Sequence, residues 1–167
     1  MRKSLPASFV LLLLLPSLAA AQSTAPTAPA APAAPATATA EDQAAVRQAA
    51  LDYIEGYYGG DPVRMERGLH PELVKRGVTT SPRFGGAAYL PAMSKSNLVT
   101  IARAGTGKRP PEEWDVTMTV LDVAPATAAV KVVSVEFVDQ MLLAKVDGKW
   151  SIIAVLWEPR PKPAAAP

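Results

Sequence analysis

The stretch Val130–Glu158, VKVVSVEFVDQMLLAKVDGKWSIIAVLWE, decides how this chain is read. Two long apolar runs flank Asp147-Gly148. A two-residue type I′ turn needs positive φ at both central positions, and Asp-Gly supplies that with little strain. The stretch is therefore predicted to be a β-hairpin, Phe137 to Val146 against Lys149 to Trp157. A two-residue turn sets the register: Val146 faces Lys149, Leu143 faces Ile152, Leu142 faces Ile153, Met141 faces Ala154 and Asp139 faces Leu156. Both faces of this hairpin come out largely apolar, so neither can be left wholly in water. One face is expected to close over helices and the other to meet a second copy, giving a homodimer through the sheet.

Towards the N-terminus, Trp114, Val116, Met118 and Val120 alternate with Asp115, Thr117 and Thr119, the period of a half-buried strand. Pro125-Ala126 turns the chain into a second strand, Thr127 to Val135, which ends in a kink near Glu136. Helices come before the strands. Thr39 with Asp42 resembles a capping box, and Val46, Ala49, Ala50, Tyr53, Ile54 and Tyr57 follow at helical spacing. Arg47, Asp52 and Glu55 are left mainly on the other face. Gly59-Gly60 closes this helix, and Asp61-Pro62, an N-cap followed by proline at the first helical position, opens a short one to about Leu69. His70-Pro71 reads as a further start. Lys75 to Pro91 has no sustained period and reads as a loop. Helix returns with Ser94 or Ser96 as cap and Leu98 and Ile101 buried, ending at Gly105. Three helices and then four antiparallel strands give an α+β fold with helices packed on one face of the sheet.

The ends differ in kind. Met1-Arg2-Lys3, an apolar run from Phe9 to Leu15 and Ala19-Ala20-Ala21 form the pattern of a secretory signal, residues 1–21. Pro16 interrupts the apolar run too early for a bilayer-spanning helix, which needs about 20 residues, so no stable membrane anchor is expected after cleavage. Residues 22–40, QSTAPTAPAAPAAPATATA, hold only small residues and spaced prolines and read as a disordered linker; residues 160–167 are a similar tail. The domain is 41–159. Signal removal takes Arg2 and Lys3 away, so 17 basic residues become 15 against 15 acidic ones. A formally neutral mature chain gives no ground for nucleic-acid binding. With no cysteine the exported domain has no disulfide, and with one histidine besides, zinc is not expected. The expected location is periplasmic or secreted.

The order of elements and several local motifs, Tyr53-Ile54-Glu55-Gly56-Tyr57, His70-Pro71-Glu72-Leu73 with Lys75-Arg76, and the closing VDQMLLAKVDGKWSIIAVLW, are similar to those of the nuclear transport factor 2-like superfamily. Within it the chain resembles the small exported bacterial proteins of the lumazine-binding branch. The resemblance implies a cone in which a long curved sheet wraps around helices. It departs at Gln140-Met141, where the family pattern leads one to expect an aromatic residue beside the aspartate. The superfamily hosts isomerases, dehydratases, hydrolases and non-catalytic binding domains, so fold alone does not choose among them.

His70 is the only histidine, hence the only imidazole available as a general base or ligand, and the resemblance sets it in a recurrent His-Pro motif. A histidine before proline can equally be a structural cap. Asp139, inside an apolar strand, must be paired, hydrogen-bonded or neutral. The resemblance makes such a carboxylate a candidate proton carrier; the alternative is an anchor for a cation such as Arg76 or Arg83. Tyr53 and Tyr57 on the inner helix face, with Trp114, are candidates to line a pocket, although aromatic side chains more often fill cores. The segment Ala102–Arg109, ARAGTGKR, imitates a phosphate loop but has Ala102 where the first glycine belongs and Arg109 where the hydroxyl belongs. Three readings follow: a non-catalytic domain binding a small apolar or aromatic molecule without a cofactor; an isomerase or dehydratase using His70 and Asp139; or a structural domain with a filled cavity.

Overall fold

Helix α1 (Ala40–Gly59) opens on the capping box expected of Thr39 and Asp42, the Thr39 hydroxyl accepting from the Asp42 amide and the Asp42 carboxylate accepting from the Thr39 amide at 3.2 Å. It belongs to a computed structural model that describes residues 38–161. The expected signal segment, most of the expected linker and the end of the expected tail lie outside the described residues. Helix α1 ends on Gly60, whose φ of 66° is the left-handed cap glycine tolerates. Helix α2 (Pro62–Gly68) follows on its Asp61 cap.

The expected restart at His70-Pro71 is a strand instead. Strand β1 runs Leu69–Gly77, and Pro71 sits in the irregular part of its pairing, between Leu69 and Val74, where a missing amide interrupts no regular ladder. The expected loop that follows holds a small ribbon of β2 (Thr79–Thr80) and β3 (Ala88–Tyr89), then β4 (Ala92–Met93). Helix α3 (Lys95–Arg103) is capped by Ser94 rather than Ser96. Strands β5 (Thr117–Val123), β6 (Thr127–Val133), β7 (Phe137–Val146) and β8 (Lys149–Pro159) complete the chain.

Six strands form the main sheet in the order β4-β1-β8-β7-β6-β5, where four were expected. The four predicted strands form an antiparallel meander, and β1 adds parallel to β8, which makes the sheet mixed. The predicted turn is present, with φ of 50° at Asp147 and 76° at Gly148. Register follows the prediction from Val146–Lys149 to Leu143–Ile152, and then slips. Ile153 is an extra residue, so Leu142 faces Ala154, Met141 faces Val155 and Asp139 faces Trp157, each one position from the expected partner.

The inner face of the sheet packs Val130, Val132, Met141, Leu143, Ile152 and Val155 against Val46, Ala50, Tyr53 and Ile54 of α1. The far side of α1 is not left to solvent throughout. Asp52, placed there by the helical period, is buried beneath α2, where Arg67 donates to both carboxylate oxygens at 2.6 and 2.7 Å and Arg64 adds a third bond at 3.1 Å. At the other end, Asp42 accepts from Lys145 Nζ at 2.7 Å and from Trp150 Nε1 at 2.9 Å, tying the start of α1 to the hairpin. The outer face keeps Val74, Leu121, Leu142 and Leu156 about half exposed.

Candidate functional site

Strand alternation explains the site. In β1, Leu73, Lys75 and Gly77 face inward while Val74 and Arg76 face outward, so a lysine is carried into the interior by its register with apolar neighbours. In β7 the same alternation buries Asp139 between outward-facing neighbours, with Met141 the next residue on its face. Lys75 is 5% exposed and Asp139 fully buried. They meet at 3.0 Å, Lys75 Nζ donating to Asp139 Oδ1. Tyr53 of α1 closes the group: its hydroxyl donates to the same carboxylate oxygen at 3.1 Å and accepts from Lys75 Nζ. Asp139 Oδ2 has no partner among the described residues.

Burial pushes Lys75 below the ordinary lysine range, against the attraction of Asp139. Burial and the neighbouring Asp139 charge push the Tyr53 phenol well above its ordinary value, so it remains a proton donor at neutral pH. Lys75 also lies over two aromatic faces, 4.9 Å from the Tyr53 ring centre and 5.4 Å from that of Trp157, positions in which the ring quadrupole favours the ammonium.

A cavity of about 160 Å³ opens beside this group. Helix α1 contributes Tyr53, Ile54 and Tyr57, α3 contributes Leu98 and Ile101, and Lys75, Phe137 and Trp157 close it from the sheet. Phe137 meets Tyr57 and Trp157 edge to face, with ring centres 5.9 and 5.2 Å apart. Tyr57 is pushed up to about 12 by burial and by Glu136. The wall is thus mainly hydrocarbon and aromatic ring, with Thr106 and the tyrosine hydroxyls as its neutral polar groups and Lys75 as its one amine. Trp157 can lie against β1 because residue 77 is glycine: a Cβ there would collide with the indole.

Of the residues singled out in the sequence, Tyr53 and Tyr57 line the cavity and Asp139 lies directly behind its lysine. His70 and Trp114 are elsewhere. The His70 Nδ1 accepts from the Glu72 amide at 3.2 Å on an exposed edge, a local turn contact, and His70 neither lines the cavity nor bonds to Asp139. Trp114 stacks on Tyr58 at 6.2 Å and donates its indole N–H to the Arg109 carbonyl at 2.8 Å. The cation on Asp139 is neither Arg76 nor Arg83 but Lys75: Arg76 is one residue out of phase and faces outward, and Arg83 lies in an exposed 3-10 turn. Sequence reading missed Lys75 because β1 was not recognised as a strand; its step of two from Leu73 was the available signal. Among the described residues, no three His, Cys, Asp or Glu side chains converge as a metal site would need.

The sequence pattern of the family described as "Putative lumazine-binding" matches residues 41–158, most of the chain. The chain belongs to this family. As a member of the "Putative lumazine-binding" family it shares the nuclear transport factor 2-like fold with several solved structures. Proteins of unknown function with that fold from Shewanella baltica and Methylobacillus flagellatus superpose with TM-scores of 0.57 and 0.59 at 18% identity, covering 76% and 74% of this chain and 100% and 96% of theirs. A third, from Silicibacter pomeroyi, gives 0.56 at 18% identity over 74% of this chain and all of its own. No curated protein matches the family member described here. At this identity the likeness concerns the fold alone.

Proposed function

We propose that the domain binds a small single-ring or comparably compact apolar molecule carrying one hydrogen-bond acceptor, with the ring between α1, α3 and the sheet and the acceptor on Lys75. The observation that carries this reading is the pairing of an aromatic-walled cavity with a single inward amine. An ammonium has three N–H donors. Tyr53 and Asp139 take two, which leaves one for a ligand. A dry apolar cavity of ~150 Å³ holds a benzene-sized guest, whereas pockets for drug-sized ligands run to ~300–1,000 Å³. The volume of about 160 Å³ therefore favours one ring over the fused two-ring system that the family description names.

The acid-base reading loses its second group, since His70 makes its contact with Glu72 and stands outside the cavity. A domain with a solid interior fits poorly with the space beside Lys75. The proposal extends to the whole protein: the leader exports it to the periplasm or beyond, and two copies pair through the outer sheet face, where Val74, Leu121, Leu142 and Leu156 are exposed. Native mass spectrometry of the protein purified from its own host tests the binding reading. It predicts a retained small molecule that is lost in an Ile101→Trp variant with a filled cavity. Bare protein, with no binding from a panel of single-ring compounds, would overturn it.

A further inference from the structure

We infer that Lys75 is an amine nucleophile that captures small aromatic aldehydes in the cavity as a protonated imine. This deepens the binding reading and rests on it. Three features of the geometry carry it. The Lys75 amine is the one basic group in the cavity wall, almost wholly withdrawn from water. Its only carboxylate partner, Asp139, has an oxygen, Oδ2, with no donor among the described residues. The phenol of Tyr53 touches both groups and stays protonated.

Imine formation needs an uncharged amine and a group that carries protons between nitrogen and oxygen. In a site with little water, an ammonium and a carboxylate in contact can exchange a proton to give amine and carboxylic acid at modest cost, because the neutral pair needs no solvation. Asp139 Oδ1, 3.0 Å from Lys75 Nζ, is the atom that receives that proton. The lone pair of Lys75 Nζ then attacks the aldehyde carbon, the carbonyl π electrons pass to oxygen, and that oxygen takes the proton of the Tyr53 phenol, which lines the cavity, while Asp139 passes its proton to Tyr53. The nitrogen, now carrying an extra proton, returns it to Asp139. Relayed from Asp139 through the Tyr53 hydroxyl, this proton leaves with the carbinolamine hydroxyl as water while the nitrogen lone pair closes the C=N bond. The balance is one ammonium and one aldehyde in, one iminium and one water out, with Asp139 restored as carboxylate. No oxidant, reductant or cofactor is involved. The iminium keeps the positive charge that pairs with Asp139, so the buried charge balance survives the reaction. The aromatic wall of Tyr57, Phe137 and Trp157 suits an aryl aldehyde of one ring.

The test uses benzaldehyde as probe, with cyanoborohydride to fix the imine as a benzylamine at neutral pH, and peptide mass spectrometry to locate the benzyl group. Exposed Lys108 and Lys149 serve as internal references. An alkyl ammonium in bulk water offers only a trace of free amine at pH 7, so Lys75, withdrawn from water, should label at least about tenfold faster than the references. The Tyr53→Phe variant, which keeps the ring but removes the hydroxyl that relays the proton between Asp139 and the cavity, should lose that advantage, and so should Ile101→Trp. Benzyl alcohol, with the same ring and no carbonyl, is titrated in parallel. If benzyl alcohol binds while Lys75 labels no faster than Lys149, imine formation is overturned and the binding reading stands. Failure of both benzyl alcohol binding and Lys75 labelling overturns both. Labelling that is undiminished in Ile101→Trp would show that the cavity does not direct the reaction, and that too overturns the proposal.

Discussion

Among the described residues, replacing Lys75 with methionine leaves the buried Asp139 carboxylate with a tyrosine hydroxyl as its one partner. Asp139 is fully buried, and among the described residues Lys75 is its one cation and one of its oxygens has no partner. Removing one member of a buried pair costs ~3–5 kcal/mol, a large share of a total stability of ~5–15. For a domain of this size, at ~3–5 °C per kcal/mol, Tm falls by roughly 10–25 °C. The pair itself is not the source of stability. The triple variant Lys75→Met, Asp139→Leu, Tyr53→Phe removes the charges and the hydroxyl that would otherwise be stranded, and it should fold at least about as stably as the starting protein, since apolar replacement of a buried pair is often neutral or better. A pH signature separates the two effects. Burial lowers Lys75 from ~10.4, so between its folded value and that point the unfolded chain binds more protons, and stability rises with pH until Tyr53, raised in the fold, begins to work against it above ~10. The triple variant should lack both slopes. The assay is urea unfolding followed by tryptophan fluorescence across pH. A cost below ~1 kcal/mol for Lys75→Met, the range of exposed pairs, would mean that the carboxylate is not stranded by the loss of the amine.

Three further outcomes are expected. Asp42 is held well below the ordinary carboxylate range by Lys145, Trp150 and the Thr39 amide; its contribution is present above about pH 4 and is lost as pH falls below that, so Asp42→Asn should flatten the acid limb of a stability profile measured by thermal unfolding. Gly77→Ala places a methyl where the Trp157 indole lies, so the ring must move; the tryptophan emission should shift and binding of benzyl alcohol should weaken about tenfold or more, while an unchanged affinity would mean that Trp157 is not part of the wall. If two copies pair through the outer sheet face as proposed, light scattering should report a dimer for the unaltered protein and a monomer for Leu142→Lys with Leu156→Lys, with the fold unchanged by circular dichroism; the same mass for both would overturn the pairing.

How much of this could be read from the chain depends on where physics leaves a local mark. The Asp147-Gly148 turn was legible because positive φ at two successive residues restricts the choice of side chains, and the capping box of Thr39 and Asp42 because it repeats a fixed spacing. The slip at Ile153 was not. Leu142-Leu143 and Ile152-Ile153 are apolar on both faces, so the alternation that normally reports register has no contrast there. Strand β1 was hidden for two reasons: His70-Pro71 imitates a helix start, and its pairing partner β8 lies far along the chain, in a register broken by an irregularity. That omission also concealed Lys75, since a lysine is expected in water unless something shows which way its strand faces. Asp139 announced itself as a buried acid, and Tyr53 and Tyr57 as an inner helix face, but their convergence on one amine is a property of three elements brought together by the fold.

The most direct test is a crystal structure of the protein soaked with benzyl alcohol, alongside calorimetric titration of the unaltered protein and Ile101→Trp. The expected result is one ring held between Tyr57, Phe137 and Trp157, its hydroxyl bonded to Lys75 Nζ, and heat of binding that disappears in the variant. A ring bound on the outer sheet face, or equal binding by both proteins, would contradict it.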